Sequence, residues 1–323
     1  MKLSVVIPTY NRRDRLARVL AALSRQTLPL ESFEVVVVDD GSSDGTSDYL
    51  ASYKSPFELL SLRLSNGGPA RARNAGVEAA SGAVILFIDD DVEPSDSLLA
   101  EHLKAHQAED NVVVIGPLGS LPHYDDPWVA WEQRKVEGQY EAMLRGDWAP
   151  TFRQFWTGNA SVAKRHLIAA GLFDPSYLRA EDVELGLRLL KLGLGFRFRP
   201  EAKTLHHVER TLDSWEKVHA SYGKAEVAIF SGLGEAEMLE LLSGNWQRLN
   251  PASRWVILQC LNHPRRHRAA RLLLRSHLNV ARKLPLPLLS EKACSLLAGL
   301  LYWQASADTL GPERARVVFG SAG

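Results

Sequence analysis

The sequence predicts an α/β protein with a mostly parallel central sheet flanked by helices, followed by a mainly helical C-terminal extension. Three observations predict it. Unbroken runs of branched apolar residues alternate with helix-period stretches through the first half of the chain, several of these runs end in a polar or acidic cluster, and strand-like runs stop after about residue 211. Continuous valine and isoleucine runs separated by helices belong to strands buried on both faces, the situation of a helix-covered parallel sheet.

The elements follow in order. Residues 3–7 form the first apolar run, closed by Pro8. Leu16, Val19, Leu20 and Leu23 recur at helical spacing, with Asn11 as the expected N-cap. Four valines at 35–38 make a second strand that ends in Asp39-Asp40-Gly41, and residues 57–62 suggest a third. Residues 69–80 read as a helix ended by Gly82, and residues 83–88 as a strand running into Asp89-Asp90-Asp91. Ser95 is the expected cap of the helix bearing Leu98, Leu99 and Leu103, and residues 112–115 form a further strand. Residues 117–155, rich in Trp, Pro and charge, read as loops, and a second ordered stretch runs from 156 to 207. The expected division is residues 1–210 as a catalytic domain and 211–323 as a helical region. Ligands of such sheets collect beyond the carboxyl ends of the strands. Those ends carry Thr9-Tyr10-Asn11, Asp39-Asp40 and Asp89-Asp90-Asp91, so the three clusters are expected to share one crevice.

Composition narrows the class. A chain of 323 residues, 46% hydrophobic and 24% charged, is an ordinary globular protein long enough to bury a core without disulfide or metal staples. The net charge of zero hides an asymmetry: residues 250–323 carry 11 Lys/Arg against 3 Asp/Glu, or +8, leaving −8 on the rest. Cys260 and Cys294 lack metal-type spacing and read as core thiols of a reduced, cytoplasmic protein. No signal peptide and no apolar run of about 18–20 residues is evident.

The motifs point to a nucleotide bound without the common phosphate loops. Neither GxGxxG nor GxxxxGK[ST] follows a strand. Tyr10 could stack on a base and Asp40 accept a base N–H, although both also read as ordinary strand-end and turn residues. Asp89-Asp90-Asp91 is more telling, because adjacent carboxylates at a buried strand end repel unless a cation offsets them. Mg²⁺ or Mn²⁺ held by one or two carboxylates plus substrate phosphates is the expected arrangement. Asn66-Gly67-Gly68-Pro69, with Arg71 and Arg73, suits a diphosphate at a helix start. Glu181-Asp182 opens a helix, preceded by Trp156, Gly158 and Asn159, and His206-His207 follow as candidate metal ligands.

Together these residues resemble the family 2 glycosyltransferases with the GT-A fold. The matching pieces are residues 5–11, 37–42, 72–76, 87–91, Gly158-Asn159 and Glu181-Asp182, in the family's order and spacing over roughly residues 1–210. The resemblance implies a nucleotide-diphospho-sugar transferase that inverts the anomeric centre with Mn²⁺ or Mg²⁺. It implies donor-nucleotide contacts at Pro8, Thr9, Tyr10, Asn11, Asp40, Arg73, Asp89 and Asp90. Asp91 and His206, or His207, are implied at the metal, and Asp182 as catalytic base. Trp156, Gly158, Asn159 and Glu181 are expected near the donor sugar or acceptor. Where members of the family often carry a fourth carboxylate after Asp-x-Asp, this chain has Val92.

The expected donor is a UDP-sugar and the expected acceptor a glycan or lipid-linked hydroxyl, with no nucleic-acid partner. Residues 265–275 form a basic amphipathic helix that reads either as a surface lying on the inner face of a membrane or as a packed helix with its arginines in water. Pro285 and Pro287 interrupt it, and residues 296–303 form an apolar patch. The rival functions are a sugar nucleotidyltransferase and an inactive GT-A-like binding protein.

Overall fold

The computed structural model describes residues 2–121, 124–283 and 287–320. The chain forms two compact units, Met1–Pro122 with Lys135–Val208, and His123–Arg134 with Glu209–Gly323.

The first unit begins β1 (Leu3–Thr9), α1 (Arg13–Leu23), β2 (Phe33–Asp39), α2 (Thr46–Ser52), β3 (Glu58–Arg63), α3 (Pro69–Ala79), β4 (Val84–Ile88) and β5 (Val92–Pro94). It continues α4 (Leu98–Ala108), β6 (Val112–Ile115), β7 (Leu118–Gly119), α5 (Pro127–Arg145), β8 (Asn159–Ala163), α6 (Lys164–Ala169), α7 (Glu181–Lys191), β9 (Gly195–Phe198) and β10 (Thr204–His206), with α5 running through both units. Seven strands form one sheet in the order β3-β2-β1-β4-β8-β6-β9. Within this sheet β8 runs antiparallel to its neighbours β4 and β6. A smaller sheet orders β5-β10-β7.

Side-chain alternation explains the unbroken valine runs. Leu3, Val5, Ile7, Val35, Val37, Leu86 and Ile88 bury one face of the sheet against Leu16 and Leu20 of α1 and Leu99 of α4. Val6, Val36, Val38, Ile85 and Phe87 bury the other face with Ala72 and Val77 of α3 and Leu185 and Leu189 of α7. The α3 backbone lies so close to β1 that a Cβ on Gly76 would run into Val6 Cγ1.

Three local expectations are corrected. Arg12, not Asn11, stands at the start of α1, and Asn11 sits at φ 53° with its amide oxygen accepting the Ser43 N–H at 2.7 Å. Ser97 precedes α4, where the Ser95 carbonyl rather than its hydroxyl accepts the Leu98 N–H at 3.1 Å. The supposed loops of residues 117–155 contain the 19-residue helix α5. Its buried Trp128, Val129, Tyr140 and Met143 fall among enough charged residues to hide the helical period from composition.

The second unit is helical: α8 (Leu212–Ser231), α9 (Glu235–Gln247), α10 (Pro251–Cys260), α11 (Pro264–Ala281) and α12 (Pro287–Phe319), the last broken at Gly311, where φ is 75°. The apolar stretch 296–303 is core: Leu297, Leu300, Leu301 and Trp303 are buried, and Trp303 meets Trp246 edge-on with ring centroids 5.2 Å apart. Pro287 begins α12, and Pro285 lies outside the described residues. Both cysteines are free and buried, and burial pushes the Cys294 thiol up to about 12.

Candidate functional site

The site forms because β1 lies between β2 and β4, all three parallel, so their carboxyl ends share one edge. The Thr9 hydroxyl donates to Asp90 Oδ2 at 2.8 Å. Arg12 Nη1 donates to Asp90 Oδ1 and to Asp91 Oδ2, both at 2.9 Å, and Arg15 Nη1 stands 3.4 Å from Asp91 Oδ2. Two arginines from the start of α1 thus offset the repulsion within the acidic triplet. Burial pushes the Asp90 carboxyl up to about 6 against the pull of Arg12. Burial acts on Asp91 as well, but His206, Arg12 and Arg15 outweigh it and hold that carboxyl below the usual range. Reading the sequence by known motifs missed Arg12 and Arg15. Their signal was electrostatic, since cations at a helix N-terminus oppose the helix dipole unless an anion faces them.

Register gives the two histidines different neighbours. β10 pairs antiparallel with β5, His206 opposite Val92, and the His207 N–H donates to the Asp91 carbonyl at 2.9 Å. Side chains alternate along the strand, so His206 Nε2 comes 3.5 Å from Asp91 Oδ1 while His207 Nε2 turns to Glu93 Oε2 at 3.3 Å. Among the described residues no group of three or more His, Cys, Asp or Glu gathers as a metal cage. One carboxylate oxygen and one imidazole nitrogen side by side do fit a divalent ion that takes its other ligands from phosphate and water.

The nucleotide-side residues divide by exposure. Pro8 is half-buried, and the Tyr10 ring is 48% exposed, open to stack on a base. Asn11 also holds its backbone N–H on Ser42 Oγ at 2.8 Å and serves as a turn anchor. Asp40 is buried, with its two oxygens accepting the Gly67 and Gly68 N–H groups at 2.9 and 2.8 Å. The glycine loop expected to cradle phosphate therefore spends these two amides on Asp40, which keeps further lone pairs for a base edge.

Arg73 joins the two acidic regions. It is buried; Nη2 donates to Asp89 Oδ1 at 2.8 Å and Nη1 to Glu181 Oε1 at 2.7 Å, and its Nε has no partner. Its guanidinium carbon lies 5.7 Å from the centroid of the Phe173 ring. The sequence assigned Arg73 to phosphate and Glu181 to sugar or acceptor, but the structure turns these side chains toward each other. Asp182 follows Glu181 in the first turn of α7, with Oδ1 accepting the Val183 N–H at 2.8 Å. Burial, then the Glu181 charge, push its carboxyl up to about 7, while Arg73 pulls it down.

Beneath the site lies a closed polar network. Asn159 Nδ2 donates to the Pro117 and Ala202 carbonyls at 3.0 and 2.8 Å, and Oδ1 faces His102 Nε2 at 2.9 Å. Those two donations identify the amide nitrogen, so His102 must carry its proton on Nε2 and accept the Ser161 hydroxyl on Nδ1 at 2.7 Å. Ser161 Oγ then accepts from His106 Nε2 at 2.8 Å. This pattern requires a neutral His102, and burial pushes both His102 and His106 down to about 4. Asn159, expected near the sugar or acceptor, is fully buried with its side-chain amide engaged in these bonds. The neighbouring Gly158 lies beside Asp89, where an added Cβ would stand 3.4 Å from Oδ2 and 3.1 Å from Leu118 Cδ2. Trp156 is half-buried, 6.1 Å from Tyr140 between ring centroids.

Comparison with known proteins places the fold and the family. The model of glycosyl transferase family 2 matches residues 4–165. The uncharacterized glycosyltransferase YfnE of Bacillus subtilis is 32% identical over 255 residues, 64% of each chain. Validoxylamine A glucosyltransferase of Streptomyces hygroscopicus is 34% identical over 221 residues, 59% of this chain and 52% of its own. The matched region thus spans about half to two thirds of these relatives' length. Among solved structures, the mannosyltransferase PcManGT of Pyrobaculum calidifontis, in complex with GDP-Man and Mn²⁺, superposes with a TM-score of 0.62 at 18% identity, covering 96% of this chain and 87% of its own. TarS 1-349 of S. aureus, in complex with UDP-GlcNAc, gives 0.56 at 18% identity, covering 94% and 90%. These likenesses show the GT-A fold, and the family match over half of the residues decides the rest: this chain belongs to glycosyl transferase family 2.

Proposed function

We propose that this protein is a metal-dependent, inverting glycosyltransferase that moves a sugar from a nucleoside diphosphate donor, UDP-linked by preference, to a hydroxyl of a glycan or lipid-linked acceptor in the cytoplasm. The observation that carries the reading is the Arg73 bridge, which joins Asp89 of the acidic triplet to the Glu181-Asp182 helix start. Asp182 beside that bridge, half-buried and with its carboxyl raised toward neutrality, has the basicity of a general base.

Asp91 and His206 would hold Mn²⁺ or Mg²⁺. The ion supplies electrostatic stabilisation to the departing diphosphate when bound. Tyr10 stacks on the base and Asp40 accepts from its edge. Asp182 takes the acceptor hydroxyl's proton as that oxygen bonds to the anomeric carbon and the bond to the donor phosphate breaks on the opposite face. One displacement inverts the centre. General-base assistance of this kind contributes about 10²–10⁴-fold. Support for a nucleotide-sugar donor comes from TarS with UDP-GlcNAc and PcManGT with GDP-Man and Mn²⁺. The nucleotidyltransferase alternative needs a glycine-rich basic loop after β1, where this chain has Thr9-Tyr10-Asn11.

A thermal-shift screen of nucleotide sugars with and without Mn²⁺ tests the reading. A donor is expected to raise the melting point only with metal, by mass action. Asp91→Ala should lose that shift. Asp182→Asn should keep it and lose transfer. A shift independent of both metal and Asp91 overturns the metal assignment, and turnover by Asp182→Asn overturns the base.

A further inference from the structure

We infer that the outward face of α11 is a docking surface for an anionic lipid bilayer. The helix carries five arginines and no carboxylate, with Arg282 and Lys283 just beyond it. The structure sorts these cations into two groups. Arg271 and Arg275 turn inward onto buried Glu216 Oε2 of α8, at 2.5 and 2.7 Å, and Arg275 also reaches Asp213 at 2.6 Å. Arg282 pairs with Asp126 at 2.8 Å. These three are consumed by the fold of their own unit.

Arg265 and Lys283 stand exposed on the side away from that pairing, and Arg268, also exposed, stands at the edge between the two, three and seven residues from Arg271 and Arg275. Between them on the same side, at spacings of three, four and seven residues, lie Leu272, Leu273 and Val280, which are 54, 73 and 53% exposed. Arg266 extends the surface by reaching the Gln259 carbonyl and side chain of α10, one turn beyond Trp255, itself 63% exposed. Apolar side chains in water with cations at both ends, and an indole at one, match the layered chemistry of a bilayer surface: acyl chains beneath, phosphates around. A protein partner would need its own acidic rim about an apolar centre, whereas an anionic leaflet presents both everywhere. Among the described residues no helix is long and apolar enough to cross a membrane, so the contact is peripheral.

The proposal does not rest on the catalytic reading, because vesicle binding needs no turnover. The full chain is floated with phosphatidylcholine vesicles and with vesicles containing phosphatidylglycerol. Binding is expected to the anionic vesicles alone and to weaken with salt. Leu272→Asp with Leu273→Asp, and separately Arg265→Glu with Arg268→Glu, should each lower vesicle affinity by about tenfold or more. Their unfolding transitions should match the parent, which separates lost docking from lost folding. Three results overturn the proposal: no flotation with either lipid, equal binding to both, or self-association of the parent that the leucine variant abolishes, which would make a second copy the occupant.

Discussion

Acidification probes the network beneath the site. His106 has a folded pKa of about 4 against an ordinary 6.5, because burial disfavours its charged form. A base with a depressed folded pKa is neutral when folded, while the unfolded chain takes up the proton as pH falls below 6.5. The stabilisation is therefore complete above pH 6.5 and is lost progressively down to about 4. Each unit is worth about 1.4 kcal/mol, so by pH 5 His106 alone forfeits about 2 kcal/mol, and His102, pushed down to about 4 for the same reason, forfeits as much. Two carboxyls oppose this. Asp90, raised to about 6, and Asp182, raised to about 7, bind protons more readily folded than unfolded, so they recover stability over the same range. The two pairs of groups act in opposite directions over the same range, so the total pH slope is a poor test and a difference is required. His106→Gln retains an N–H for Ser161 and removes the titration. Urea unfolding of parent and variant at pH 7.5 and 5, followed by a signal from the first unit, should give the variant a loss smaller by about 2 kcal/mol. Equal changes in the two proteins refute the assignment of a buried neutral imidazole.

Arg73→Met leaves Glu181 buried without its cation, so unfolding by urea should show a loss of about 3–5 kcal/mol, with the Asp89 arm contributing less because its side chain is 35% exposed. The same substitution removes the charge that lowers the Asp182 pKa, so the acidic limb of kcat/KM should move to higher pH; an unmoved limb argues against Asp182 as the titrating base. Gly76→Ala forces α3 away from Val6 and should cost about 1–3 kcal/mol in a urea titration, and a neutral result would mean that the helix shifts freely.

The periodicities of the sequence determined the layered α/β core, because alternation and helical spacing depend on residues near one another in the chain. They also placed the acidic triplet at the end of β4, since a run of five buried apolar residues from Val84 to Ile88 can hardly end otherwise. Motif order brought Asp40, Asp89, Asp91 and Asp182 forward as a set, and the family match over residues 4–165 covers the first three. Tertiary structure decided who faces whom. Arg73 and Glu181 are 108 residues apart, and nothing local reveals that a helix-start arginine spans them. The placement of His206, not His207, beside Asp91 follows from a one-residue register between β10 and β5, where a slip would exchange the two side chains. The partners of Asn159, Pro117, Ala202 and His102, come from distant parts of the chain and are invisible in its local sequence. The helical period of residues 127–145 was diluted by charge, and only burial of Trp128, Tyr140 and Met143 exposes it. Short-range order is written in spacing; the pairing of charges and amides across the chain depends on distances that exist only once the sheet has closed.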